Sequence, residues 1–208
     1  MFGIVIGLAG YYLDTICQVS YERLLWIGAT LTFASGGFAI GGLIQKLSIS
    51  SHTDYLTGLG NRRYFYLKLG EEVVRTTREK KQLCVAMIDV DGFKSVNDMY
   101  GHVIGDVLLS GIAAILKKDT RSKDVVIRWG GDEFVIIFTE TSLKNALEVM
   151  ERIRYKVEGA FSPYHLTISS GIIPLEQDQD LKDLLTKADQ ALYKAKEQKN
   201  AVITVTDL

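Results

Sequence analysis

The sequence predicts an α+β domain in split βαβ order, carried behind an apolar and helical N-terminal region. Three observations lead there. With 208 residues, two prolines and a net charge of −1, the chain has room for one globular domain plus a small addition. Strand-like and helix-like segments alternate from about residue 60 onward. Near the middle, RWGGDEFVIIF (128–138) sets two glycines and two adjacent carboxylates between two apolar strand segments.

The apolar region comes first. Leu24 to Ile44 reads LLWIGATLTFASGGFAIGGLI, 21 residues without a charge. At about 1.5 Å per residue that is enough for one bilayer crossing. Met1 to Tyr21 is equally long and interrupted only by the charge of Asp14, a carboxylate that is disfavoured in the bilayer unless protonated or packed against the partner helix. No basic n-region precedes it, which argues against a cleaved signal peptide. The expectation is a transmembrane helical hairpin, 2–21 and 24–44, within an anchor over 1–45, then a polar linker over 46–53. Lys46, Arg62 and Arg63 place the following domain in the cytoplasm, beneath the inner (cytoplasmic) membrane and its lipid. Gly3/Gly7 and Gly37/Gly41 have a spacing that permits close helix contact, although glycine is also simply common in membrane helices. Cys17 and Cys84 lie in unlike surroundings, so no disulfide is expected. The near-neutral charge argues against a nucleic-acid partner.

The domain, 54–208, follows element by element. NRRYFYLKLGEEVVRTTREKK is an amphipathic helix, and QLCVAMIDV is an apolar strand ending in a carboxylate. VIGDVLLSGIAAILKK returns to helical spacing. DVVIRW and EFVIIFT form a hairpin, SLKNALEVMERIRYKVEG a helix and YHLTISSGI a strand. LKDLLTKADQALYKAKEQ is a last helix and AVITVT a last strand. Without the first helix and the final helix–strand pair, the order is strand-helix-strand-strand-helix-strand. That is the ferredoxin-like, palm-like arrangement, in which the first strand lies beside the central hairpin. It fixes no activity by itself.

The acids narrow the reading. Asp89 and Asp91 end the first strand on one face, and Asp132 with Glu133 stands on the turn alongside. Two acids on a hairpin tip are, alone, commonly a solvated turn. Together with Asp89, and with no histidine or cysteine beside them, they suit a hard cation, Mg²⁺ or Mn²⁺.

Gly130 to Phe134 spells GGDEF, and the chain resembles the GGDEF-domain diguanylate cyclases, which join two GTP into cyclic di-GMP and release pyrophosphate. DYLTGLGNRR (54–63), DVDGFKSVND with GHVIGD, RSKD, SSGI (169–172) and ADQALYKAK (188–196) are similar to the family's other motifs. The resemblance covers about residues 50–203. It implies that Asp89, the Val90 carbonyl, Asp132 and Glu133 hold metal, two ions per half-site, with Asp132 also the base for the attacking 3′-hydroxyl. It assigns guanine to Asn97 and Asp106, with His102 in substrate contact, and the phosphates to the backbone of Gly92, Phe93 and Lys94 together with Arg128, Lys196 and Lys199. For Asp106 a helix N-cap is the bland alternative, and for Asn97 a turn residue. The family's usual Gly-Arg-Asn is replaced by Gln198-Lys199-Asn200, so weaker phosphate binding is expected. Arg121 and Asp124 form the RxxD of an inhibitory product site supported by Arg152. Against these stands an exposed salt bridge. One domain holds one GTP, so the resemblance implies a homodimer. The competing readings are a non-catalytic receptor for GTP or cyclic di-GMP and a metal-dependent nucleotide hydrolase.

Overall fold

The computed structural model describes residues 11–12, 21–50, 52–176 and 179–204. The chain divides into two compact units, 1–51 and 52–208. In the first, helix α1 spans Tyr21–Ser50, so residues 46–50 of the expected linker are helical instead. Among the described residues one helix, over Glu22–Gly42, is long and apolar enough to cross a membrane, and none of that stretch is buried in protein. The hydroxyls of Thr30, Thr32 and Ser35 donate to the carbonyls of Trp26, Gly28 and Thr32, so the helix satisfies its own polar side chains. Apart from Tyr11, Tyr12 and Tyr21, which are helical, the expected segment 2–21 lies outside the described residues, and with it Gly3, Gly7, Asp14 and Cys17.

The second unit is built on a six-stranded mixed sheet. Its elements are β1 (Gly60–Asn61), α2 (Arg62–Glu79), β2 (Leu83–Asp91), α3 (Phe93–Tyr100), α4 (His102–Asp119), β3 (Val125–Gly130), β4 (Glu133–Thr139), α5 (Leu143–Ala160), β5 (Thr167–Pro174), α6 (Leu181–Gln198) and β6 (Val202–Thr204). The strands lie in the order β1-β3-β4-β2-β5-β6. The four inner strands are antiparallel to their neighbours, while β1 and β6 add parallel edges. The inner four reproduce the expected split βαβ order.

Helices cover both faces of this sheet. On one, Ile112 and Leu116 of α4 and Met150 and Ile153 of α5 pack on Ala86, Ile88 and Ile136. On the other, Phe65 and Leu69 of α2 and Leu184 and Ala188 of α6 pack on Val85, Met87 and Val135. β2 is central and buried along its whole length, which is why LCVAMI reads as an unbroken apolar run rather than an alternating one.

The sequence reading missed β1 and α3. β1 is only two residues long, and α3 is a two-turn helix bounded by Gly92 and Gly101. Neither length supports a periodic signal.

How α6 meets the sheet decides where its last turn lies. Ala188, Ala191 and Ala195 line its buried face. A Cβ on Gly171 of β5 would collide with the backbone of Leu192 and stand 2.7 Å from the Ala188 carbonyl oxygen. Helix backbone therefore rests directly on strand backbone, with no side chain between them. Replacing Gly171 by valine must lift α6. Gly171→Val is expected to destabilise the domain by about 3 kcal/mol, read as a lower urea midpoint with an unchanged slope.

Candidate active site

Strand pairing assembles the acids. In the antiparallel β2–β4 ladder Asp89 stands directly opposite Glu133. The Val90 N–H donates to the Asp132 carbonyl at 3.2 Å, which ties the hairpin turn to the end of β2. Gly131 takes a left-handed φ of 51°, a conformation that costs glycine little and lets two carboxylates follow at once. From α6, the Lys196 ammonium donates to Asp89 Oδ2 at 2.8 Å.

Charge is crowded here. Burial pushes the Asp89 carboxyl up, against the opposing hydrogen bond from Lys196 and with help from Asp132. Burial also raises Glu133, and both Asp89 and Asp132 add to the shift. Lys196 is raised in turn, chiefly by its hydrogen bond to Asp89. Partly desolvated, mutually repelling carboxylates are the environment that a bound cation relieves.

The turn has its own brace. Arg128 donates to both carboxylate oxygens of Asp54, at 3.1 and 3.3 Å, and through Nε and Nη2 to the Gly131 carbonyl, at 3.1 and 2.8 Å. Asp54 also accepts from the Thr57 N–H and hydroxyl, and these bonds outweigh burial to lower its carboxyl. Arg128 was expected among the phosphate donors. In this structure its guanidinium holds the turn in shape. On the other side of the turn, Trp129 packs edge-on to Phe65 at 5.1 Å, with the Arg62 guanidinium 4.4 Å above its ring.

The remaining expected residues lie on α3, on α4 and just past the end of α6. Gly92, Phe93 and Lys94 open α3, whose first turn has no side-chain cap. Asn97, on the same helix, lies against Gly105, and its Oδ1 is buried without a hydrogen-bond partner. It belongs to a helix rather than a turn. Asp106 is exposed on the second turn of α4, since that helix begins at His102, so the N-cap alternative is excluded. His102 is exposed at the helix start.

Lys199 lies beyond the end of α6 and is exposed. Its backbone sits at φ 57°, ψ 155°, a region that side-chain-bearing residues rarely adopt. The glycine missing from this segment is therefore missed at Lys199 rather than at Gln198.

Arg121, Asp124 and Arg152 are not part of this cluster. Asp124 lies just before β3, at the opposite end of that strand from the glycine turn, a separation of about 20 Å by strand length. Its buried carboxylate accepts from the backbone N–H of Arg121 at 2.9 Å and of Thr139 at 3.2 Å. It is a turn cap rather than half of an exposed salt bridge. Arg152 donates to the Asp119 carbonyl at 2.8 Å, and the Arg121 side chain is exposed.

Comparison with known proteins follows this geometry. The family model described as "Diguanylate cyclase, GGDEF domain" matches residues 51–201. The chain belongs to the GGDEF family. Diguanylate cyclase A of Treponema denticola is 37% identical over 163 residues, 74% of this chain and 44% of that protein. The response regulator PleD of Caulobacter vibrioides is 41% identical over 160 residues, 73% of this chain and 35% of its own length. This GGDEF chain thus spans less than half of these relatives. Among solved structures, the GGDEF domain of DgcB from Caulobacter crescentus in complex with c-di-GMP superposes with a TM-score of 0.70 at 28% identity, covering 74% of this chain and 96% of that one.

The donor set fits a divalent metal in its chemistry. Asp89, Asp132 and Glu133 offer only carboxylate oxygen, and the first and last are raised in the direction that crowded negative charge produces. Among the described residues no three His, Cys, Asp or Glu side chains stand close enough together to hold a metal ion by themselves.

A stability test follows from the end of α6. Lys199→Gly removes a side chain from a left-handed position and is expected to stabilise the GGDEF domain by about 1 kcal/mol, read as a rise in melting temperature.

Proposed function

We propose that the protein is a diguanylate cyclase. Two chains, each holding one GTP, face each other as a homodimer. The 3′-hydroxyl oxygen of each nucleotide attacks the α-phosphorus of the other, two phosphodiester bonds form, and two pyrophosphates leave. The observation that carries this reading is the juxtaposition of Asp89, Asp132 and Glu133 where the end of β2 meets the glycine turn, with Lys196 beside them.

In this reading Asp89, the Val90 carbonyl, Asp132 and Glu133 hold Mg²⁺ or Mn²⁺, two ions per half-site. Bound there, the metal supplies Lewis-acid stabilisation of the phosphates and the leaving pyrophosphate. Asp132 accepts the proton of the 3′-hydroxyl. The uncapped N–H groups at Gly92, Phe93 and Lys94 meet the phosphates, with charge from Lys196 and, more weakly, Lys199. The unmatched Asn97 acceptor and the exposed Asp106 carboxylate suit the N1–H and 2-amino donors of guanine, and His102 lies at the same helix start. Adenine lacks that donor pair, so ATP leaves the acceptors unpaired.

Product inhibition falls to Arg121 and Asp124, with Arg152 in support; each Asp124 oxygen already accepts one backbone N–H and keeps a second lone pair. Residues 1–45 anchor the chain in the cytoplasmic membrane through α1, and the domain from residue 54 works in the cytoplasm. That anchor raises the local concentration of two catalytic domains.

Incubating the chain with GTP and Mg²⁺ and weighing the product tests the reading. Cyclic di-GMP is expected, whereas no turnover indicates a receptor and GDP or GMP a hydrolase. Asp132→Asn is expected to keep the fold and lower the rate by about 100-fold or more. Undiminished synthesis removes Asp132 from the mechanism. Arg121→Ala is expected to leave the initial rate intact and abolish the slowing as product accumulates, followed in full progress curves.

A further inference from the structure

The second carboxylate of β2 has no role in the chemistry above. Asp91 stands two residues beyond Asp89 on the same face of the strand and is only 7% exposed. A carboxylate this far from water is costly unless its oxygens are fully hydrogen-bonded. Two of its donors are local to the sheet, the hydroxyls of Thr167 at 2.8 Å and Ser169 at 2.8 and 3.0 Å, both on β5. The third arrives from elsewhere. The backbone N–H of Asn200, just past the end of α6, donates to Asp91 Oδ2 at 3.0 Å. The solvation of this buried charge is complete only when the end of α6 is in place.

Asn200 is held from its other side as well. Its Oδ1 accepts from Arg154 Nη1 at 2.9 Å, and Arg154 is itself a buried arginine of α5, bonded to Glu151 at 2.8 Å and stacked 4.1 Å over Tyr155. A continuous hydrogen-bonded path therefore runs from α5 through Asn200 to β2 and β5. Lys196 lies one helical turn before Asn200 and reaches Asp89 with a flexible, half-exposed side chain. Where its ammonium can go depends on where the last turn of α6 is fixed.

We infer that Asp91 is a positioning residue, which acts through Asn200 to hold the last turn of α6 so that Lys196 is presented to the nucleotide site. This inference rests on the cyclase reading, and the test separates the two. In the full chain, binding of a non-hydrolysable GTP analogue with Mg²⁺ is measured by calorimetry, and KM and kcat for GTP are measured below the melting transition. The variants are Asp91→Asn, Lys196→Ala and the double variant. Lys196→Ala is expected to weaken analogue binding. Asp91→Asn is expected to raise KM and weaken binding by about fivefold in the wild-type background, and to add less than about twofold when Lys196 is already alanine.

A purely structural Asp91 lowers the melting temperature but leaves binding by the folded protein unchanged. That result, or a full fivefold effect persisting in the Lys196→Ala background, overturns the inference. If instead the wild-type chain makes no cyclic di-GMP, or Lys196→Ala binds the analogue normally, the cyclase reading or its use of Lys196 fails, whatever Asp91 does. Should Asp91→Asn not fold, the same cycle is run with Asn200→Ala. That variant cuts the bond to Arg154 and keeps the backbone N–H on Asp91, so the inference expects binding to stay within about twofold of wild type, and a fivefold loss would assign the hold on α6 to Arg154 instead of Asp91 and overturn the inference.

Discussion

The antiparallel register between β2 and β4 is the constraint on which the rest depends. Because Asp89 is paired with Glu133, and because the Val90 N–H reaches back to the Asp132 carbonyl, the negative charges meet as a by-product of ordinary sheet hydrogen bonding. No loop has to be ordered at separate cost. A one-residue slip of the ladder would send Asp89 to the opposite face and disperse the cluster. Two buried helical layers prevent it, since every apolar residue of the central strand would then face the wrong partner.

Around that ladder, positive charge is divided between two tasks. Arginine is used where a planar fork must hold something still: Arg128 spans Asp54 and the Gly131 carbonyl, and Arg154 spans α5 and the second residue after α6. Lysine is used at the centre itself, where Lys196 is half-exposed and makes a single contact with a carboxylate. This division suits the chemistry of the two side chains, one rigid and multidentate, the other a mobile point charge.

Much of this was legible in the sequence, and the misses have physical causes. The strand–helix order and the meeting of Asp89 with the glycine turn followed from alternation and from the split βαβ pattern. The short elements β1 and α3 did not, because two and eight residues cannot display a period. Arg128 and Asp124 were recognised as polar residues at suggestive spacings, but their partners lie 74 and 15 positions away in the chain or on backbone amides, where no local pattern can point. Asp91 is the sharper case. Its spacing from Asp89 made it look like one more member of the cluster, yet donors from β5 and Asn200 draw its oxygens elsewhere.

The bond between Arg128 and Asp54 also bears on where the GGDEF domain can be divided. Asp54 contributes nothing to either apolar layer, whereas Leu56 packs against one, so trimming the chain just before Leu56 would leave the packed interior whole. The arginine under the glycine hairpin would nevertheless lose its counter-charge. The smallest piece that stays folded and the smallest piece whose hairpin keeps its shape therefore begin at different residues.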